Sequence, residues 1–321
     1  MRIRKRDILP FLISFGILGV LLYNTDLQQV VETIQGADLV LLLAALVMTF
    51  SVMVSRVVRW KLFLDAYKLK IKPIDIASSF LASQFLANFT PARVGEASRP
   101  YFLKKRYKVS FFNLLPPVIV ERFLDLITLL ILSVLFLLFY SRFVSGILQA
   151  VLLLTFALLI ALILVVLKKS VALKFVNLFF RLFSFIRAIR KMKPKISKMV
   201  SNFFLGVQTM KFARLGPIGF ITLLSWIFES AILYFVVLAL TGTYDFNFMY
   251  AVGFLCLAML GGVVSSLPGG IGSVEAILFA FFLLIHFSAP LGLSVVLLYR
   301  FISFVISTGF FTIFFAREMK L

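Results

Sequence analysis

Apolar stretches long enough to cross a bilayer recur along this chain at 8–23, 39–64, 117–140, 145–167, 217–240 and 291–316, and they leave it few ways to fold. A helix needs about 20 residues to traverse hydrocarbon, so these runs read as spans, the first being short and reaching slightly past those limits. The fold class expected is an all-α polytopic membrane protein. A water-soluble domain of this size has no means of hiding a chain that is 62% hydrophobic and 14% charged, with a mean hydropathy of +1.09.

The formal charge of +20, from 33 Lys and Arg against 13 Asp and Glu, would suggest nucleic acid in a soluble protein. Here the basic residues lie mostly between apolar runs, which points instead to cytoplasmic loops against an anionic inner leaflet, with no nucleic-acid partner. The single cysteine, Cys256, sits in an apolar run and reads as a packing residue. With one histidine, His286, and no Cys/His cluster, neither a metal nor another cofactor is expected. The basic opening residues Arg2, Arg4, Lys5 and Arg6 precede an apolar run as in a signal peptide, but Tyr23-Asn24-Thr25-Asp26 offers no small-residue cleavage site. The run is expected to stay as the first span.

Two further apolar segments, 73–92 and 246–287, carry the same turn, P-x-x-[VI]-G, at Pro91 to Gly95 and again at Pro268 to Gly272. Each copy is followed downstream by an Arg-Phe pair in an apolar run, Arg122-Phe123 and Arg300-Phe301. Charge settles how these segments run. The N-terminus is basic and the loop after the first span carries Asp26, Glu32 and Asp38, so the N-terminus is cytoplasmic. Basic residues flank segment 73–92 on both sides, Lys61 to Lys72 before it and Arg93, Arg99, Lys104, Lys105, Arg106 and Lys108 after it. A segment with both flanks inside enters and leaves by one face, and its Ser78, Ser79, Ser83, Gln84 and Asn88 suit a cavity lining better than lipid.

Stretch 168–216 holds twelve Lys or Arg and no acid, and reads as amphipathic helix on the inner leaflet. Arg317 and Lys320 place the C-terminus inside as well, so 246–287 is expected to dip from the outer face. The result is an inverted repeat, 39–140 and 217–316, each half a span, a re-entrant hairpin and a span, within one transmembrane domain of six full spans and two hairpins. The alternative of eight ordinary crossings would export the six basic residues after Ala92.

Charges inside spans cost on the order of 3 kcal/mol each on insertion scales, so those present should face each other or a cavity. Glu121 and Asp125 are four apart on one helix face, Arg122 is three from Asp125, and Pro116-Pro117 just before should break or kink the helix and orient them. The plainer reading is an ion pair that only locks two helices. At the first turn Gly95 allows a left-handed or a tightly approached backbone, and Arg93, Glu96 and Arg99 gather beside helix-end amides, a set that holds a phosphate or merely anchors a loop. At the second, Gly269, Gly270 and Gly272 make a flexible turn, and Glu275, the only charge between Asp245 and Arg300, wants Arg300 as partner. Glu229 either joins that pair or makes an ordinary helix contact. Arg56 and Arg59 are expected to snorkel near the cytoplasmic end of their span with Trp60 at the interface, a phosphate contact being the other possibility for Arg59. Together these arginines and carboxylates suit a charged or zwitterionic lipid head group.

The elements Asn88-x-x-Pro91-x-Arg93-x-Gly95-Glu96-x-x-Arg99, Glu121-Arg122-x-x-Asp125 and Pro268-Gly269-Gly270-Ile271-Gly272-x-x-Glu275 resemble the flippase-like, or lysylphosphatidylglycerol synthase, transmembrane region. That family includes the membrane half of bacterial phosphatidylglycerol lysyltransferases, the multiple peptide resistance factors. The resemblance implies a lipid translocase of the cell membrane carrying an anionic or aminoacylated phospholipid, or a polyprenyl-type lipid phosphate. The soluble aminoacyl transferase domain of those enzymes is not expected here, so enzyme activity is not expected either. Alternatives are a membrane-embedded head-group transferase, and a non-catalytic partner of a separate synthase docking on 168–216; a homodimer is a further possible assembly.

Overall fold

The computed structural model describes residues 5–23, 25–66, 69–109, 111–140, 150, 154–158, 160–161, 169–182, 215–243 and 246–320, and the regular structure among them is helical. In chain order the elements are α1 (Lys5–Tyr23), α2 (Leu27–Gln35), α3 (Leu39–Ala66), α4 (Pro73–Asn88), a 3-10 turn (Pro91–Ser98), α5 (Arg99–Tyr107) and α6 (Phe111–Phe139). Then follow α7 (Lys169–Leu182), α8 (Leu215–Thr241), α9 (Phe248–Ser265), a second 3-10 turn (Pro268–Gly270), α10 (Ser273–Leu284) and α11 (Ala289–Lys320). Among the described residues α3, α6, α8, α9 and α11 are long and apolar enough to cross a membrane. The chain is an all-α polytopic membrane protein.

Local chemistry sets several boundaries. Asp26, Asn247 and Ser288 cap α2, α9 and α11 by accepting hydrogen bonds from amides that have no partner in the first turn. The expectation that Pro116-Pro117 would break the helix is corrected: α6 begins at Phe111 and runs through both prolines. They fall in its second turn, so the two missing amide donors are lost near the helix start and not in mid-span. The span expected at 291–316 is longer, and a π-helical turn at Phe301–Ile306 interrupts it. The span expected at 145–167 lies mostly outside the described residues, and of the basic segment 168–216 only α7 and the first two residues of α8 lie within them.

Both segments that bear the repeated turn fold back to where they began. At the start of α4, Asp75 Oδ2 accepts a hydrogen bond of 2.7 Å from the Tyr107 hydroxyl at the end of α5, and Arg106 pairs with Asp75 as well. Glu318 near the end of α11 joins this knot, accepting from Arg106 Nη2 at 2.9 Å and from Ser78 Oγ at 2.5 Å. The second segment closes differently. Phe246 before α9 and Phe287 after α10 have ring centroids 6.3 Å apart, inside an aromatic cluster with Tyr250, Phe254 and Phe282.

The open ends of the two hairpins lie at opposite ends of α3, whose 28 residues extend about 42 Å. At its start Asp38 N–H donates to Ala239 O at 2.9 Å, a few residues before α9, whereas Phe63 and Leu64 near its end pack in one core with Ile76 of α4 and Leu103 of α5. Between these ends the turns touch: Ala92 N–H donates to Ser266 O at 3.3 Å, and Gly269 lies against the Asn88 carbonyl. α3 and α8 pack along each other, with Ser55 and Ser225 hydroxyls 2.8 Å apart, as small polar residues do between helices in lipid.

Close approach, not a left-handed backbone, explains the glycine of the first turn. A Cβ on Gly95 would lie 2.4 Å from the Leu86 carbonyl carbon, whereas the left-handed residues are Ala92 (φ 51°) and Arg93 (φ 55°). Substituting Gly95→Ala is expected to cost roughly 1–3 kcal/mol, as overpacking does. Thermal unfolding of the purified protein in detergent should show a lower midpoint; an unchanged midpoint would mean that α4 and the turn separate readily.

Candidate functional site

Where α3, the first turn, α6 and α8 meet, charged side chains are buried against one another. Arg59 of α3 donates through Nη1 to Asp125 Oδ1 at 2.6 Å and through Nη2 to Glu121 Oε1 at 2.5 Å, with Thr222 of α8 3.2 Å from Nη1. Arg99 donates to the other Glu121 oxygen and to Ser83 Oγ, its guanidinium lying 4.2 Å from the Phe80 ring centre. Arg122 bridges Glu96 (2.7 Å) and Asp125 (3.2 Å), while Trp226 Nε1–H reaches Asp125 at 3.2 Å. The four-residue spacing on α6 puts both carboxylates on one face, so one arginine from α3 engages both.

The second turn has its own pair. Arg300 Nε donates to Glu275 Oε1 at 2.6 Å, and its Nη2 donates to the Gly269 carbonyl at 2.9 Å. The other Glu275 oxygen accepts from the Gly272 amide at 2.8 Å. Gly269, Gly270 and Gly272 hold φ of 61°, 65° and 89°, which bends the backbone so that carbonyl and amide present themselves to one ion pair. Pro268 starts the turn and is buried.

A cavity of about 80 Å³ lies between the two groups, lined by Arg56, Gln84, Asn88, Arg93, Glu229 and Arg300 among others. Arg93 Nε donates to Glu96 at 3.0 Å and its Nη2 to Gln84 Oε1 at 2.6 Å. Across from it Arg56 pairs with Glu229 at 3.0 Å, and the Tyr299 hydroxyl donates to the other Glu229 oxygen at 3.3 Å. Asn88 Nδ2 donates to Thr308 Oγ1, tying the end of α4 to α11. Three guanidinium groups and one carboxylate therefore border the cavity, the partners of Arg93 and Arg300 being Glu96 and Glu275 just outside its lining.

Several expectations are corrected by this geometry. Arg59 and Trp60 do not snorkel; both are wholly buried, because Glu121 and Asp125 supply counter-charges that make burial of the arginine tolerable. Arg99 likewise has no exposed surface and is spent on Glu121, so a direct phosphate contact is open to neither Arg59 nor Arg99. Glu229 does not join Glu275 and Arg300, having Arg56 as its partner. Arg93, Arg122 and Arg300 keep partly exposed side chains, at 38%, 35% and 11%, so a ligand can still reach them. Sequence reasoning named Gln84 and Asn88 as cavity-lining residues but missed the cavity position of Arg56. Two arginines three apart in one span, Arg56 and Arg59, share a helix face, and that was a usable signal.

Because Arg59→Ala would leave buried Glu121 and Asp125 with one arginine partner each, Arg99 and Arg122, it is expected to destabilise by up to roughly 3–5 kcal/mol, whereas Arg122→Ala, with its partly exposed side chain, should cost less. Comparing the two melting midpoints tests this order, and a reversed order would remove Arg59 from the centre of the network.

Comparison with known proteins places these residues in a family context. The family profile described as "Lysylphosphatidylglycerol synthase TM region" matches residues 8–310. A UPF0104 membrane protein of Pyrococcus horikoshii is 27% identical over 316 residues, covering 94% of this chain and 93% of its own. A UPF0104 membrane protein of Methanocaldococcus jannaschii is 23% identical over 332 aligned residues, covering 96% of this chain and 93% of its own. One from Methanothermobacter thermautotrophicus reaches 36% identity over a shorter stretch of 103 residues, 32% of this chain and 30% of its own.

Proposed function

Because the chain belongs to the lysylphosphatidylglycerol synthase transmembrane-region family, we propose that it is a lipid translocase, with the charged cavity between its two turns as the head-group site. Its cargo in this reading is an anionic or aminoacylated phospholipid or a lipid phosphate. The observation that carries the proposal is the direct contact of the two turns beside three arginines, Arg56, Arg93 and Arg300, that face a common space.

The hairpins are read as re-entrant: one opens to the cytoplasm with both chain termini, the other to the outside of the cell membrane. Segments 39–140 and 217–316 are then inverted halves, and a head group midway between them is reached from either leaflet when one half rocks against the other. In this reading the exposed residues of the turns, among them Ala92, Val94 and Ser266, face a polar, water-filled space, since irregular backbone at membrane depth is tolerated only where protein or such a space covers it. The donors around the cavity match phosphate oxygens through the planar guanidinium fork. Contact between the turns would be the gate, and Arg300, bonded to Gly269, the side chain that links the second turn to α11.

Two measurements test this. Liposomes holding the purified protein should move a labelled anionic lipid between leaflets, and Arg300→Ala should slow the movement about tenfold or more, the scale of one lost charge-assisted contact. In a Cys256→Ala background, Ala92→Cys with Ser266→Cys should form a disulfide between the turns that stops movement under oxidant and restores it on reduction. Transport at full rate through the cross-linked protein would sink the gating scheme; no movement by the unmodified protein would sink the translocase.

A further inference from the structure

Building on the translocase reading, we infer that the head group held between the turns is a phosphate monoester: the terminal phosphate of a lipid with no second substituent on phosphorus. Charge is the first reason. Arg56, Arg93 and Arg300 border the cavity and each has a carboxylate partner, Glu229, Glu96 and Glu275. With Arg59, Arg99 and Arg122 against Glu121 and Asp125 added, the paired groups around the cavity keep one positive charge in surplus, which calls for an anion and disfavours a neutral or cationic head group such as an aminoacylated one.

The direction of the open hydrogen bonds is the second. Arg56 engages its partner through Nη2, and Arg93 and Arg300 engage theirs through Nε and Nη2. Among the described residues, Nη1 of each is left with no acceptor. Gln84 is buried, its Oε1 already accepts from Arg93, and its Nε2 has no partner. The open charged and amide groups are therefore donors that converge on one space. A terminal phosphate presents three acceptor oxygens and, as a dianion, no donor. An ammonium group would set donors against donors.

Size is the third. At about 80 Å³ the cavity is well below the roughly 300–1,000 Å³ of pockets that enclose drug-sized ligands. It admits a head group of a few heavy atoms entering end-on, and not an amino acid esterified to glycerol. The apolar share of its lining, including Val52, Met53, Ile232 and Met259, favours a phosphate that arrives on a hydrocarbon chain over the free ion.

Calorimetric titration of the full-length protein in detergent micelles, with phosphatidic acid, phosphatidylglycerol of the same acyl chains, and inorganic phosphate, decides the matter. Phosphatidic acid is expected to bind about tenfold or more tighter than either of the others, and Arg93→Gln to weaken it about tenfold. Gln84→Leu, which keeps volume and removes the open donor, gives a second test should Arg93→Gln fail to fold. Phosphatidylglycerol binding as tightly as phosphatidic acid, or affinity unmoved by the folded variants, would overturn the monoester assignment; equal binding of inorganic phosphate would make this a free-anion site. Leaflet movement of phosphatidylglycerol without monoester preference leaves the translocase standing and removes this inference. Monoester binding with no leaflet movement of any lipid does the reverse.

Discussion

An unpaired charge is costly in hydrocarbon, and this requirement organises the molecule more than any single apolar contact does. Arg59, Arg99 and Glu121 have essentially no exposed surface, so each needs an opposite charge within hydrogen-bonding distance. Those partners come from the consecutive helices α5 and α6 and from α3, whose Arg59 lies more than 60 residues before Glu121. To satisfy them, α4 and the first turn must fold back beside α6, and α8 must bring Thr222 and Trp226 to the same place. The network thus fixes the position of the turn. Its residue at the cavity, Arg93, is held by Glu96 while part of the side chain stays open.

Much of this was legible from one sequence because its signals are strong. Long apolar runs mark helices, and the repeated P-x-x-[VI]-G turn marks the two places where the chain folds back and the turns meet. The pairs Arg122 with Asp125 and Arg300 with Glu275 followed from spacing and from the scarcity of alternatives. Long-range partners were not legible. Nothing near Arg59 in sequence announces Glu121 and Asp125, which lie more than 60 residues away, and local reasoning therefore placed Arg59 at the interface where an unpaired arginine would belong. Pro116 and Pro117 were misread because the start of α6 was set too late; the same two residues mean something different in a second turn than before a first.

Left-handed backbone at non-glycine residues occurs twice in succession in the first turn and once at Ser266, just before the second. Ala92 and Arg93 adopt left-handed backbone conformations that cost of order 1–3 kcal/mol each and that glycine would take freely. Their side chains and amides are used: Ala92 N–H bonds to Ser266 across the interface of the turns, and Arg93 reaches Glu96 and Gln84. The second turn takes the opposite course, with glycines at 269, 270 and 272 and its charges on neighbouring helices. One turn carries its own charges, while the other borrows those of Glu275 and Arg300 through its backbone.

The same asymmetry appears where the hairpins close. Hydrogen bonds and ion pairs among Asp75, Arg106, Tyr107 and Glu318 shut one mouth, whereas stacked rings around Phe246, Phe282 and Phe287 shut the other. Dissolved ions weaken the first kind of seal and leave the second untouched, while cooling weakens the second. Two hairpins closed by different chemistry can therefore loosen one at a time, each under its own condition.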